Sequence, residues 1–150
     1  SLILADTGPG SGGLSSFGRE VHLLDRLLQR TRGWRFFLAL DEFARGTNPQ
    51  EGAALARALV QYLGTLDCVA LMTTHYDGVS DVAGAHYQVA GLVREIQGDE
   101  NDDPRSRIAR RMDYRLQSAP PGAPCPRDAL RVCRLLDLEP ALMALFQADL

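Results

Sequence analysis

Phe36-Phe-Leu-Ala-Leu-Asp-Glu-Phe-Ala-Arg-Gly-Thr-Asn-Pro-Gln-Glu-Gly52 runs from five apolar residues straight into two adjacent carboxylates, Asp41 and Glu42, and then into a glycine-punctuated turn. Successive side chains on a strand point to opposite faces, so two working carboxylates in a row make sense only where the strand ends. In open parallel α/β sheets that carboxyl edge is where ligands sit. A buried strand delivering Asp-Glu there suits a nucleoside triphosphatase, with Asp41 for Mg²⁺ and Glu42 for the attacking water. The bland reading stands beside it: many buried strands end in solvated acidic residues.

Working outward, Asn48-Pro49-Gln50-Glu51 places Asn at a helix N-cap, Pro at the first helical position and Glu at the third. The helix that follows is expected to bury Ala53, Ala56, Leu59, Val60 and Leu63 and to stop at Gly64. Cys68–Met72 then reads as a second buried strand ending in Thr73-Thr-His-Tyr76. A strand, a helix crossover and a strand imply a parallel pair, which brings His75 to the same sheet edge as Asp41 and Glu42. A lone histidine is more often structural than catalytic, and only this position raises the functional reading.

Upstream, Leu2–Ala5 reads as a short strand. The loop Asp6-Thr-Gly-Pro-Gly-Ser-Gly-Gly-Leu-Ser-Ser16 leads from it into a helix with Phe17, Val21, Leu24 and Leu28 on one face. Ser15 and Ser16 fall in the first helical turn, where hydroxyls and unpaired N–H groups form an anion site. The simpler alternative is that one of them is an N-cap.

Downstream, His86–Val93 and Met112–Leu116 read as strands of a β-hairpin addition. Between them, Gln97–Ser106 is a polar, acidic loop. Arg105, Arg107, Arg110, Arg111 and Arg115 form the only basic cluster, read as a solvated face rather than a nucleic-acid stripe. Ser118–Pro126 is a linker, and amphipathic helices are expected over Arg127–Leu136 and Pro140–Leu150. The expectation is an α/β fold with a mostly parallel sheet flanked by helices, a β-hairpin and a C-terminal helical pair. Its divisions are residues 1–97, a polar loop at 98–107, and 108–150.

With 150 residues, 45% hydrophobic and 23% charged, the chain is one soluble domain or part of one. Its net charge of −3 argues against a polyanion-binding module. All 16 basic residues are arginine, so a phosphate-binding Gly-x-x-x-x-Gly-Lys-Ser/Thr loop cannot lie within the sequence. Cys68, Cys125 and Cys133 fit neither a disulfide framework nor a metal motif, and reduced thiols in the cytoplasm are the expectation. There is no membrane-length apolar run and no signal-peptide pattern. The abrupt opening at Ser1-Leu2 suggests a piece of a longer protein.

Three loops together resemble the MutS family, an ABC-type ATPase lineage. Asp41-Glu-Phe-Ala-Arg-Gly-Thr47 is similar to the family's Asp-Glu-x-Gly-Arg-Gly-Thr, and Thr74-His75-Tyr76 to its Thr-His-Tyr. Gly13-Leu-Ser-Ser-Phe-Gly-Arg-Glu20 is similar to its signature loop, which runs Ser-Thr-Phe-x-x-Glu. The tail Pro126–Leu138 is similar to the family's short helix after the last strands. The resemblance covers essentially the whole chain in order, and implies the C-terminal part of an ABC/P-loop-type ATPase.

By resemblance, Asp41 is the Walker-B Mg²⁺ ligand through water, Glu42 the base for the attacking water, and His75 the γ-phosphate-sensing histidine. Gly13, Ser15 and Ser16 reach ATP held by the opposite subunit of a homodimer. Arg45, Gly46 and Thr47 form the D-loop at the dimer interface. Donors supplied in trans stabilise phosphoryl charge only when two subunits close. Three residues depart from the family pattern: Ala44 stands for glycine, Ser16 for threonine and Gly18 for methionine. They place the chain away from the standard mismatch-repair branch, and the missing lysine places the P-loop upstream of Ser1.

The function implied is that of a fragment of an ATP-hydrolysing protein classed with DNA mismatch-repair ATPases, inactive by itself, with DNA bound by other domains. One alternative is a MutS-like ATPase serving a protein client, such as a cobalamin-dependent aminomutase. A second is an inactive dimerisation module, against which intact Asp41, Glu42 and His75 argue.

Overall fold

The computed structural model describes residues 2–5, 15–92 and 103–149. The chain divides into two compact units, residues 1–86 with 120–124, and residues 87–119 with 125–150.

The first unit is built on a parallel sheet of β1 (Leu2–Ala5), β2 (Phe36–Leu40) and β3 (Cys68–Met72), in the order β1-β2-β3. Leu38 pairs with Ile3 on one side and Ala70 on the other, so β2 is central. The connections carry α1 (Ser16–Arg30) and α2 (Pro49–Leu63). Alternation along β2 buries Phe36, Leu38 and Leu40 in one core with Leu24 of α1 and Ala56, Leu59 and Leu63 of α2. Full burial of a side chain such as Leu38 contributes roughly 1.5–3 kcal/mol. The helix start at Asn48 is as expected: its Oδ1 accepts from the N–H groups of Gln50 at 2.9 Å and Glu51 at 3.4 Å, with Pro49 next. Ala53 and Val60 are half-buried beside the core rather than within it.

One expectation is corrected at β3. It reads as a buried strand, but Val69 and Leu71 are 64% and 58% exposed. They are paired in register with the half-buried Phe37 and Ala39, so the four share one apolar sheet face. The opposite face, carrying Phe36, Leu38 and Leu40, holds the core.

The second unit contains β4 (Tyr87–Leu92) and β5 (Met112–Ser118), an antiparallel pair with an irregularity between Val89 and Gly91. Their connection is not a simple polar loop. Asp103 accepts from Ser106 N–H at 3.3 Å and Pro104 opens α3 (Pro104–Arg111), so the expected loop at 98–107 gives way to helix at Pro104. Arg110 and Arg111 lie in the last turn of α3, where cations suit the helix dipole, rather than on a hairpin face. Residues 97–102 lie outside the described residues.

The two expected terminal helices are α4 (Ala129–Leu135) and α5 (Pro140–Ala148). Asp128 and Arg131 hold the end of β4: Asp128 Oδ2 accepts from Leu92 N–H at 3.1 Å, and Arg131 donates to the Leu92 carbonyl at 3.0 Å. The Pro-rich linker returns to the first unit over 120–124, where His86 Nδ1 donates to the Pro120 carbonyl at 3.1 Å. Among the described residues no helix is long and apolar enough to cross a membrane.

Candidate active site at the carboxyl edge of the parallel sheet

β2 ends at Leu40 and β3 at Met72, paired residues, so Asp41-Glu42 and Thr73 leave the sheet side by side. Thr73 clasps the two ends. Its N–H donates to the Leu40 carbonyl at 2.9 Å, and its carbonyl accepts from Glu42 N–H at 3.1 Å. Its hydroxyl oxygen also accepts from Glu42 N–H at 3.0 Å and donates to Asp41 Oδ1. Thr73 is a site residue that sequence reasoning passed over, although its position opposite Asp41 follows from the strand register.

Glu42 and Ala44 have φ of +45° and +66°, left-handed values that cost a non-glycine residue of order 1–3 kcal/mol. The surroundings hold them there. Phe43 and Ala44 are buried, at 1% and 0% exposure. Ala44 N–H donates to Glu20 Oε2 at 3.1 Å, and its carbonyl accepts from Tyr76 Oη at 2.9 Å. Both backbone polar groups of a buried residue are thus satisfied by side chains from other elements, as burial demands. Burial raises the Glu20 carboxyl above its ordinary range, and the bond from Ala44 N–H offsets part of that rise.

The strained turn projects Glu42 between two nitrogen groups. Arg45 pairs with Oε2, and His75 Nδ1 stands 3.8 Å from Oε1. The His75 ring leans on Tyr76, with centroids 4.4 Å apart. All three members of this group reach solvent, so the Arg45–Glu42 pair is screened and contributes little to stability.

Asp41, Glu42, Arg45 and His75 are therefore brought together. Gly46 packs on the first turn of α1, where a Cβ would fall 3.0 Å from Ser16 Oγ and 3.4 Å from Phe17 N. Ser15 is the N-cap of α1, its Oγ accepting from Gly18 N–H at 3.1 Å. Thr47 is half-buried between Gly46 and the Asn48 cap. Gly13 lies outside the described residues.

Among the described residues no group of three or more His, Cys, Asp or Glu side chains could hold a metal ion. Mg²⁺, which keeps several waters and takes one or two carboxylates plus substrate phosphates, does not require such a cage. Asp41 is exposed at the strand end and Glu42 half-exposed beside it.

The architecture is that of an α/β domain whose acidic pair sits at the carboxyl edge of a parallel sheet. The family model for MutS domain V matches residues 7–115, and the chain belongs to that family. It is 43% identical over 63 residues to Endonuclease MutS2 of Thermomicrobium roseum, a match covering 42% of this chain and 8% of that protein. It is 28% identical over 141 residues to Endonuclease MutS2 of Clostridium perfringens, covering 91% and 16%. DNA mismatch repair protein MutS of Haloquadratum walsbyi is 37% identical over 76 residues, covering 50% and 8%. The matches thus span between 8% and 16% of these relatives' lengths.

Proposed function

We propose that this chain is the Walker-B half of an ATP-hydrolysing MutS-like protein. The observation that carries the reading is the placement of Asp41 and Glu42 at the end of the central parallel strand, with His75 Nδ1 3.8 Å from Glu42. In this reading Glu42 orients the water that attacks the γ-phosphate, and His75 senses that phosphate and fixes the carboxylate. Asp41, held by the Thr73 hydroxyl, would hold Mg²⁺ through water. The bound cation would neutralise charge on the phosphate oxygens. The left-handed turn at Glu42 and Ala44 supports the reading, since strain of this kind clusters at functional sites.

The phosphate-gripping P-loop belongs, in this proposal, to polypeptide outside the sequence, because a chain without lysine cannot supply one. The sheet supports this independently. Parallel strands are normally covered on both faces, and the face bearing Phe37, Ala39, Val69 and Leu71 is largely open. We assign that face to the other half of an ABC/P-loop-type domain. Nucleotide would lie between two copies, with Gly13, Ser15 and Ser16 of one copy reaching the phosphate held by the other, and Arg45, Gly46 and Thr47 at the dimer seam. The relatives are, by name, an endonuclease and a DNA mismatch repair protein, which supports DNA as the client. Contact with DNA would come from other domains, given the net charge of −3 here.

Calorimetry of the 150-residue chain with Mg-ATP tests the half-site directly. The expected result is no tight binding, and sub-micromolar affinity would overturn the proposal.

A further inference from the structure

The turn carrying Glu42 is fastened to α1 at two points. Gly46 lies against Ser16 and Phe17 so closely that a Cβ would already crowd the Ser16 hydroxyl. One helical turn further along, Glu20 Oε2 accepts from the N–H of Ala44. Ser16 and Glu20 are four residues apart, hence on one face of the helix and separated along its axis by about 6 Å. Ala44 has no exposed surface and a left-handed φ, so its N–H cannot turn to water if the carboxylate leaves. Hydrogen bonds from Thr73 and Tyr76, in the segment after β3, also hold the turn. Glu20 is thus a polar tie between the turn and the helix.

We propose that Glu20 is a positioning residue. Its bond to Ala44 N–H makes α1 and the Asp41–Thr47 turn one mechanical unit, so that an event at the Ser15-Ser16 end of the helix is transmitted to the Glu42 carboxylate. The catalytic part of this proposal rests on the ATPase reading above; the mechanical part does not. Glu20 touches no reacting atom in this account. It sets where Glu42 points, through two residues of backbone.

The two parts are tested separately. In the 150-residue chain, amide hydrogen exchange at Ala44 and Glu42 is compared in wild type, Glu20→Ala, Glu20→Asp and Glu20→Gln. Gln keeps an acceptor at the same reach, whereas Asp is one methylene short and retains charge. Exchange at Ala44 is expected to quicken by at least about tenfold in the Ala and Asp variants and to stay near wild type in Gln. The Asp variant keeps the test decisive should Ala fail to fold. Exchange in Glu20→Asp within about threefold of wild type overturns the mechanical tie.

In a polypeptide that also carries the P-loop segment, steady-state ATP turnover is measured for the same variants. The expected pattern is a kcat lowered at least about tenfold in Glu20→Ala and Glu20→Asp with KM little changed, and recovery in Glu20→Gln. An unchanged kcat alongside quickened exchange overturns the transmission to Glu42. Absence of turnover in the wild-type polypeptide overturns the ATPase reading and with it the transmission, and leaves the exchange result to judge the tie.

Discussion

Tyr76 Oη donates a 2.9 Å hydrogen bond to the carbonyl oxygen of Ala44, 32 residues earlier in the chain. The ring reaches that carbonyl by crossing the start of α2 at Gly52, where a Cβ would fall 2.8 Å from Tyr76 Cζ and 3.0 Å from the Ala44 oxygen. The glycine and the tyrosine are thus a matched pair. Tyr76→Phe leaves a buried carbonyl unsatisfied and should cost about 1–3 kcal/mol in urea unfolding. Gly52→Ala should cost at least about 1 kcal/mol by overpacking. The double variant should fall short of the sum by more than about 0.5 kcal/mol, whereas strict additivity would separate the two residues.

The φ of +66° at Ala44 is a left-handed value that favours glycine. Ala44→Gly should relieve backbone strain but lose a buried methyl and gain unfolded-state entropy, terms of about 1 kcal/mol each with opposed signs. The net change is expected within about 1 kcal/mol of zero. A β-branched residue cannot share the left-handed turn or the space, so Ala44→Val should cost more than about 2 kcal/mol. Equal midpoints for the Gly and Val variants in thermal unfolding would contradict this account of the turn.

Glu20 offers a pH-dependent check. Burial raises its folded carboxyl value above the ordinary one. The folded state therefore binds the proton more tightly than the unfolded state. This contribution favours folding below the unfolded value and is lost as pH rises through the folded one. Glu20→Gln, which keeps an acceptor without the charge, should gain on wild type from pH 4 to 7. Chemical denaturation across that range measures the difference; a gap that narrows with rising pH would reverse the sign.

Thr73 joins the two strand ends through its hydroxyl as well as its backbone. Thr73→Val keeps shape and backbone pairing but removes the hydroxyl contacts with Asp41 and Glu42. A loss of about 0.5–1.5 kcal/mol is expected for these solvent-accessible bonds, with recovery in Thr73→Ser, read by urea unfolding. No loss in Thr73→Val would mean that the backbone alone clasps the strand ends.

The strand–helix–strand frame is legible in the sequence because its signals are local: an apolar run, Asn48-Pro49, a stripe of small and aliphatic residues, then a second apolar run. Parallel register then carries His75 to Glu42, as expected. The roles of Glu20, Thr73 and Tyr76 are not legible there, because their bonds join backbone and side chains 24 to 32 residues apart, which leaves no periodic trace. β3 reads as a buried strand because Val69 and Leu71 are equally apolar whether or not a covering surface is present. The start of α3 at Asp103-Pro104 carries the same signal as Asn48-Pro49, hidden within a run of acidic residues. The trans contacts of Gly13, Ser15 and Ser16 depend on a second copy and remain part of the proposal.

In the proposed ATPase Glu42 activates the attacking water, and Glu42→Gln in a polypeptide that includes the P-loop segment tests that role most directly. The substitution keeps the size of the side chain and removes its basicity. Turnover should fall at least about a hundredfold, with ATP affinity within a few-fold of wild type. A hydrolysis rate within a few-fold of wild type would contradict the role assigned to Glu42.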